Sequence, residues 1–412
     1  MRLKDITTLN PQYRGKELYN NVSFVPMESL RNGSIDLKDI SFAEGKGKYT
    51  YFGNGDLLVA KVTPCFENGN IAIADNLEHG IGFGSSEIFV LRMKKGFLNS
   101  YLFYLSQTSK FQDAACATMC GVGGLKRISP LFMRTYELDL PVLSEQQRIV
   151  EKLDAQLSSI DKRISALEKQ LDAYARFKKS VIHQAVTRGL NPNVTLKDSG
   201  IEWIGMIPEH WNRHRLKDIG YMYSGLTGKA GDDFRCDDLS QTKPYVPFTN
   251  VLNNTVVDFN KYNYVVMSED EEQNRVKEND LLFLMSSEDY DSIAKSAVVI
   301  GNPGEVYLNS FCRGFRITSK KHYAPFINYQ LNSALYRNSL KYEARGFTRI
   351  NIKIDKIASQ FISLPPLSEQ QEIANYLDEK CAKIDAAIEN ITKQIDASKR
   401  LRKAIINEAI SG

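Results

Sequence analysis

Two stretches of the chain carry apolar side chains at alternating steps of four and three residues. In the first stretch this apolar seam consists of Leu153, Leu157, Ile160, Ile164, Leu167, Leu171, Tyr174, Val181 and Ala185. Lys178 interrupts the seam at one position. A heptad spacing of this kind predicts a long helix that packs along another helix. Ser144 is the predicted N-cap of this helix, and Gly189 is the predicted end.

The second stretch repeats the same spacing near the C-terminus. Its apolar seam consists of Leu377, Cys381, Ile384, Ile388, Ile391, Ile395, Ile405 and Ala409. Ser398 and Arg402 interrupt it where Tyr174 and Lys178 stand in the first stretch. Each helix is predicted to span roughly 40 residues, or about 60 Å. Because two equal seams in one chain can cover each other, we expect the helices to form an antiparallel coiled coil.

An octapeptide before each helix indicates that the chain contains a duplication. Leu140–Gln147 reads Leu-Pro-Val-Leu-Ser-Glu-Gln-Gln, and Leu364–Gln371 repeats it with one change, 224 residues later (364 − 140). A second repeat lies earlier in each copy, where Arg2–Ile6 and Arg215–Ile219 both read Arg-Leu-Lys-Asp-Ile. The chain is therefore predicted to be one module written twice.

The regions that precede the two helices have an α+β pattern. Strands are predicted at residues 56–61, 88–92, 280–284 and 297–300, and helices at residues 98–111 and 325–342. The predicted fold class is α+β, with two globular regions separated by two long helices in a pseudo-two-fold repeat. The predicted bounds are 1–139 for the first globular region, 140–189 for the first helix, 190–363 for a linker with the second globular region, and 364–412 for the second helix.

Composition narrows the protein class without deciding its function. The 412 residues are 42% hydrophobic and 25% charged, and the net charge of +4 neither requires nor excludes a nucleic-acid partner. No apolar run approaches the roughly 18 residues of a membrane-spanning helix, and Met1–Asp5 lacks the apolar core of a signal peptide. The six cysteines form no CxxC pair. We therefore expect a cytoplasmic protein with reduced thiols and no bound metal.

A search for catalytic motifs finds none that is complete. Asn10–Tyr13 reads Asn-Pro-Gln-Tyr and differs at its third position from the Asn-Pro-Pro-Tyr element of adenine methyltransferases. The sequence has no glycine-rich unit for S-adenosylmethionine and no GxxxxGK[ST] loop for nucleotides. Nuclease and nucleophilic serine or cysteine signatures are also missing. The sequence thus predicts a chain without catalytic residues and without a cofactor of its own.

Polar and basic loops remain as candidates for binding. Gly121–Arg127 is a glycine-rich turn that ends in two cations, and Arg345–Asn351 holds the corresponding place before the second helix. Glycine lets a loop approach a phosphate backbone closely, arginine can fork onto guanine, and asparagine matches adenine. The candidate DNA-binding residues are Lys61, Thr63, Asn68, Asn70, Lys126, Arg127, Arg345, Thr348, Arg349 and Asn351. Taken singly, a loop of this kind is more often a solvated surface than a binding site.

The two octapeptides and the segment Asp198–Trp211 resemble the specificity subunits of type I restriction-modification systems. Gly55–Gly69 and Gly84–Arg92 are similar to elements of the target recognition domains of that family. The chain departs from the family pattern in two respects. The tryptophan-containing leader precedes only the second globular region, and Met285–Glu288 replaces the Lys-Val-Thr-Pro-Cys element there.

The resemblance implies a non-catalytic subunit that binds double-stranded DNA. Each target recognition domain would read one half of a bipartite sequence, and the paired helices would set the separation of the halves. Two methyltransferase subunits would dock on the helices and methylate a flipped adenine in each half with their own S-adenosylmethionine. Endonuclease/translocase subunits would join through the complex, with no membrane partner. A coiled-coil adaptor that organises proteins and reads no DNA is the alternative.

Overall fold

The computed structural model describes residues 1–15, 19–122, 124–235, 241–268 and 270–411. The chain forms two compact units, which we call unit 1 (Met1–Lys169 with Ile391–Gly412) and unit 2 (Gln170–Asn390). Each of two long helices contributes one part to each unit, so unit 1 is built from two separate segments of the chain. Gly123 and Cys236 lie outside the described residues.

Unit 1 combines short helices with two sheets and the beginning of the first long helix. Its helices are α1 (Leu3–Ile6), α2 (Phe42–Lys48), α3 (Asn99–Ser106), α4 (Ser109–Cys116), α5 (Phe132–Thr135) and the first part of α6 (Leu143–Arg188), with 3-10 turns at Met27–Ser29 and Glu78–Gly80. Its strands are β1 (Thr7–Leu9), β2 (Asn21–Val25), β3 (Lys38–Ser41), β4 (Thr50–Gly53), β5 (Leu57–Ala60), β6 (Ile71–Ile73), β7 (Ile81–Gly84) and β8 (Ile88–Met93).

The main sheet of unit 1 is antiparallel and has the strand order β1-β8-β5-β6. All four residues of β5 are buried, as are the first four of β8. Strands covered on both faces read as continuous apolar runs, which is why these two were predictable from the sequence. The second sheet has the order β3-β2-β7-β4, and its β2 and β7 run parallel.

Unit 2 repeats this inventory and adds a short N-terminal extension. Its helices are α7 (Leu216–Ile219), α8 (Phe248–Asn253), α9 (Ala324–Asn332), α10 (Ala334–Glu343), α11 (Ile354–Ala358) and α12 (Leu367–Ser411), with a 3-10 turn at Gly231–Phe234. Its strands are β9 (Leu196–Asp198), β10 (Met206–Pro208), β11 (Asn212–Arg215), β12 (Gly220–Ser224), β13 (Thr242–Val246), β14 (Asn263–Val266), β15 (Leu281–Leu284), β16 (Ser286–Ser287), β17 (Ser296–Val298), β18 (Tyr307–Leu308), β19 (Cys312–Ile317), β20 (Ile350–Asn351) and β21 (Phe361–Leu364).

The main sheet of unit 2 has the same connectivity as that of unit 1, and the second sheet of unit 2 matches three of the four strands of its counterpart. The main sheet has the order β12-β19-β15-β17 and is antiparallel. In the second sheet, β14-β13-β18, the pair β13 and β18 is parallel like β2 and β7. Small two-stranded sheets join β9 to β10, β11 to β21 and β16 to β20. The duplication predicted from the octapeptides therefore extends through the globular regions, despite their divergent sequences.

A half-buried arginine and a buried aspartate pair with each other at the two central strands of each main sheet. In unit 1 the Arg92 guanidinium donates two hydrogen bonds to Asp56, at 2.8 and 2.6 Å. In unit 2 the Arg316 guanidinium donates two to Asp280, at 2.9 and 2.7 Å, and the Tyr223 hydroxyl donates a third at 2.6 Å. Burial and the Asp280 carboxylate raise the pKa of Tyr223. We call these two pairs the buried frame.

The long helices pair in antiparallel fashion within each unit. In unit 1, Arg402 of α12 bonds Asp161 of α6 at 2.9 Å. In unit 2, Lys178 of α6 bonds Asp385 of α12 at 2.6 Å. Both members of the second pair lie 224 positions from their counterparts in the first (402 − 178 and 385 − 161). The interruptions of the predicted seam at positions 178 and 402 are thus crossing ion pairs, which link the two helices.

Reversing one of these crossing pairs tests its contribution to helix pairing. We expect Lys178→Asp and Asp385→Lys each to lower the free energy of unfolding by about 0.5–1 kcal/mol, because each places like charges together. The double variant should regain most of the loss, as a double-mutant cycle in urea measures. Lys179→Asp, at an exposed neighbouring position, is the control. Losses that simply add in the double variant would contradict the pairing.

The seam residues of both helices lie on covered faces. Leu153 and Leu157 belong to the core of unit 1, and Leu377 belongs to the core of unit 2. Buried positions farther along the seams are Leu167, Ile384, Ile391 and Ile395, and half-buried ones are Ile160, Ile164, Leu171 and Ile388. The helices are therefore part of the cores of the units, as well as partners of each other.

Tyrosine hydroxyls also tie the globular parts to the long helices. Tyr104 donates to Asp154 in unit 1, and Tyr329 donates to Asp378 at 2.6 Å in unit 2. In the extension of unit 2, Trp211 is fully buried, and its indole N–H donates to Glu369 in the first turn of α12 at 3.1 Å. These hydrogen bonds hold the globular part of each unit in a defined orientation on its own segment of long helix.

Three local predictions were wrong. Helix α6 begins at Leu143, so Ser144 lies inside its first turn; the amides of Glu145 and Gln146 donate to Val142 instead. The helix predicted at 98–111 is two helices, because Thr108 caps the second one through its hydroxyl. The helix predicted at 325–342 is broken at residue 333, which is extended. The long helices have 46 and 45 residues, more than expected, and α6 ends before residue 189 as predicted.

Candidate nucleic-acid interface

A hairpin with glycine at its second position follows two short helices in each unit, α3 and α4 in unit 1 and α9 and α10 in unit 2. In unit 1 the main chains of Cys120 and Arg127 exchange two hydrogen bonds, at 3.1 and 2.9 Å. In unit 2 Arg345 and Asn351 do the same, at 2.9 and 2.8 Å. We call these segments hairpin 1 (120–127) and hairpin 2 (345–351). Hairpin 1 is one residue longer, and both contain candidate residues from the sequence.

The two hairpins are anchored at the same place in the fold. The end of hairpin 1 forms an antiparallel bridge between Arg127 and Val62, just after β5. The end of hairpin 2 pairs Asn351 with Ser286, just after β15. Both partner residues lie at the 224-residue offset (351 − 127 and 286 − 62). The sequence prediction that the loops occupy corresponding places is therefore confirmed by the backbone pairing.

A charged cluster surrounds the base of hairpin 1. The Arg127 guanidinium donates two hydrogen bonds to Glu87, both 2.9 Å long, and lowers the pKa of that carboxyl. The Lys61 amine lies 4.7 Å from the centre of the Phe89 ring and donates to the carbonyl of Ser86. Burial lowers the pKa of Lys61. The carboxylate thus holds Arg127 in one orientation while about half of its side chain stays exposed.

The other candidates in unit 1 divide into exposed and internal residues. Lys126 and Asn68 are exposed. Thr63 is buried, and its hydroxyl accepts from the Lys126 amide at 3.0 Å and donates to the Gly124 carbonyl at 2.9 Å. Asn70 is also buried, and its carbonyl accepts from the β5 backbone. Thr63 and Asn70 are therefore placed to hold the surrounding loops, and Lys126 and Asn68 face outward.

The two arginines of hairpin 2 make different contacts from those of Arg127 in hairpin 1. The Arg349 guanidinium lies 4.7 Å from the centre of the Phe311 ring, and its Nε donates to the Ser286 hydroxyl at 2.7 Å. Arg345 donates to the carbonyl of Tyr342 at 2.6 Å. The remaining candidates, Thr348 and Asn351, are exposed together with both arginines.

Glu87 and Phe311 are the residues that reading the sequence missed. Both precede the second central strand of a main sheet, at the same offset (311 − 87). Each orients the arginine of the neighbouring hairpin, one by a double hydrogen bond and the other by its ring face. Glu87 lies within the Gly84–Arg92 element noted in the sequence, but its pairing with Arg127 is not visible there, and no motif marks Phe311. Aligning the two halves of the sequence at the constant offset of 224 residues could have identified both positions.

The described parts of the chain contain no group of three or more histidine, cysteine, aspartate or glutamate side chains that could hold a metal ion. None of the helices in the described ranges is long and apolar enough to span a membrane.

Comparison with known proteins agrees with this duplicated architecture. The family model described as type I restriction modification DNA specificity domain matches residues 1–172 and again residues 208–397. The chain belongs to this family. The resemblance inferred from the octapeptides is thereby confirmed, and both halves of the chain match the same family model.

Individual relatives agree with the family assignment. The chain is 30% identical to the EcoAI specificity subunit of Escherichia coli over 184 residues, which is 44% of the chain and 31% of that protein. It is 24% identical to the MjaVIII specificity subunit of Methanocaldococcus jannaschii over 350 residues, which is 80% of the chain and 77% of that protein. The alignments to the EcoAI and EcoEI subunits cover only 31% and 26% of those proteins.

A solved structure has the same fold along its length. It comes from work on complex assembly and conformational transition of the type I R-M system, and it matches with a TM-score of 0.68 at 17% identity. The match covers 100% of this chain and 96% of that one. The predicted fold class, two α+β regions with paired long helices, is confirmed for this specificity-family chain.

Proposed function

We propose that the chain is the DNA-binding specificity subunit of a type I restriction-modification complex, and that each unit reads one half of a bipartite double-stranded sequence. One observation carries the proposal. The two units keep the same buried frame and the same hairpin anchor, but they expose different side chains on the hairpins. A constant frame with a varied polar surface is what two readers of two different sequences require.

The differences fall at matching positions. Arg127 of hairpin 1 corresponds to Asn351 of hairpin 2, and Glu87 beside it corresponds to Phe311. Arginine pairs with the O6 and N7 atoms of guanine, whereas asparagine pairs with the N6 and N7 atoms of adenine. Two units built this way would prefer different bases, although they approach DNA with the same backbone.

Exposure separates the proposed contacts from their supports. We assign direct DNA contact to the exposed candidates, which are Asn68, Lys126, Arg127, Arg345, Thr348, Arg349 and Asn351. Lys61, Thr63 and Asn70 are assigned to positioning, because their polar groups are buried or half-buried within the unit. Lysine at a flexible tip suits a phosphate, and a pre-oriented arginine suits a base edge.

We further propose that the long helices serve partner subunits. Phe177 and Leu401 are 48% and 53% exposed on the helices and lie 224 positions apart (401 − 177). Two equivalent exposed apolar positions suit two copies of one partner. These partners would be methyltransferase subunits, with endonuclease/translocase subunits joining through them in the cytoplasm. The chain itself would supply no catalytic group and no cofactor.

In the proposed division of the chain, each target recognition domain is followed by its own helical spacer. The bounds are 1–139 and 190–363 for the recognition domains, the second with its linker, and 140–189 and 364–412 for the spacers. The helices would set the distance between the two halves of the recognised sequence.

Removing the cations of hairpin 1 tests the reading function. We expect Lys126→Ala with Arg127→Ala to weaken specific binding about 10- to 100-fold, because a base contact and a phosphate contact are lost and Glu87 is left without its arginine. The salt dependence of binding should also fall by about one phosphate contact. Fluorescence anisotropy of the complex with its methyltransferase partner measures both, after methylome sequencing has identified the site.

The control is Lys95→Ala, an exposed lysine beyond the far end of β8, which should change binding little. Scrambling the half of the site read by unit 1 should abolish the difference between the variant and the wild-type chain. Equal affinities on the intact site would remove these residues from the reader. Absence of any site-dependent binding by the wild-type complex would instead favour the protein adaptor, which the two exposed apolar positions also fit.

A further inference from the structure

The tip of hairpin 2 exposes an aromatic ring completely. Phe347 is 103% exposed, whereas most phenylalanines of the chain are buried or half-buried. Its backbone is not loosely held. The preceding Gly346 has a φ of +139°, and a Cβ at that glycine would lie 2.1 Å from the carbonyl oxygen of Arg349. The turn therefore requires glycine, and the ring that follows is projected away from the unit.

Unit 1 shows the same arrangement independently. Gly121 has a φ of +157°, and a Cβ there would lie 2.1 Å from the carbonyl oxygen of Leu125. The residue that follows, Val122, is 90% exposed. Both hairpins thus use one glycine turn to present an apolar side chain at the residue after it. Because exposure of an apolar group in water is unfavourable, its repetition in two divergent copies indicates a use at the tip.

The surroundings of Phe347 indicate which kind of partner it meets. Arg345 and Arg349 flank the ring in sequence, and both are exposed. Tyr290 holds the turn by donating to the Gly346 carbonyl at 3.2 Å. Cations beside an exposed ring match a phosphate backbone beside a base stack, since apolar wedges enter between base pairs and aromatic rings stack on bases.

We propose that Phe347 is a wedge that inserts into a base step of the half-site read by unit 2, and that Val122 is its smaller counterpart in unit 1. This inference rests on the proposed function. The step that receives the ring would be partly unstacked, so its sequence would matter through stacking strength rather than through hydrogen bonds. Specificity at that position would therefore arise without a polar contact.

The test compares Phe347→Ala with the wild-type chain, each in complex with its methyltransferase partner, on two duplexes. One duplex is the native site, and the other carries a mismatch at a base step of the second half-site, away from the methylated adenine. We expect Phe347→Ala to weaken binding to the native site roughly tenfold. The mismatch should tighten binding of the wild-type chain, because unstacking then costs less, and should not tighten binding of the variant.

Tyr342→Ala is the matched control, since this ring is 78% exposed but lies before the hairpin. Scanning 2-aminopurine through the half-site should show one position that brightens with the wild-type chain and stays dark with Phe347→Ala. Equal behaviour of the two chains on both duplexes would overturn the wedge, even if site-specific binding itself holds. Unchanged DNA binding with loss of partner assembly would overturn it too, and would make Phe347 a protein contact.

Discussion

Asp280→Asn should lower the free energy of unfolding by about 3 kcal/mol. The Asp280 carboxylate accepts four hydrogen bonds, two from Arg316, one from the Tyr223 hydroxyl and one from the Lys277 amide. Its side chain is 1% exposed. An amide of the same size cannot accept on both sides, and it leaves the guanidinium without a counter-charge in a covered site. Urea denaturation followed by circular dichroism measures the loss.

Two comparisons sharpen this prediction. Asp56→Asn should cost less, because no tyrosine among the described residues donates to Asp56 and the Arg92 side chain is 38% exposed, against 21% for Arg316. Glu278→Gln changes an exposed carboxylate two residues away and should leave stability nearly unaltered. Hydrogen exchange should report faster opening of β15 and β19 in Asp280→Asn. A urea midpoint equal to that of Glu278→Gln would contradict a structural role for the pair.

Lengthening both long helices by one heptad should change the DNA sequence that is methylated. Seven residues inserted after Lys169 and seven after Asn390 keep the seam in phase and add about 10.5 Å to each helix. At 3.4 Å per base pair, we expect the spacer between the two half-sites to grow by up to about three base pairs. Methylome sequencing of cells carrying the variant and its methyltransferase partner reads the new motif directly.

The control is an insertion in one helix alone, which shifts the crossing ion pairs out of register and should reduce stability without defining a new motif. Both half-site sequences should survive in the double insertion, since the hairpins are untouched. A methylated motif with the original spacer would refute the idea that the helices set the spacing.

The repeated parts of the fold were readable because each repeat carries a local pattern. The heptad seams predicted the long helices, and the apolar runs at Leu57–Ala60 and Leu281–Leu284 predicted the central strands. The residues that begin the helices could not be predicted as reliably. Ser144 follows a leucine that can itself be helical, so a polar residue before a helix did not identify the first residue of the turn.

For the candidate site, the sequence indicated only the exposed residues. Glycine beside cations marked both hairpins, because turn chemistry and charge are local features. Glu87 lies 40 residues from Arg127 in the sequence, so their contact depends on how the strands pair, which no local pattern in the sequence indicates. The buried frame has the same character, since each arginine lies 36 residues from its aspartate. Distant polar pairing is decided by sheet register, which reading the sequence alone did not establish.

The burial of Trp211 against α12 has a practical consequence. The chain contains two tryptophans, at positions 203 and 211, and both belong to unit 2. Intrinsic indole emission of this chain therefore reports on unit 2 alone, because unit 1 contains no tryptophan. If the unfolding transition followed by indole emission differs from the one followed by far-ultraviolet ellipticity, the two units unfold separately.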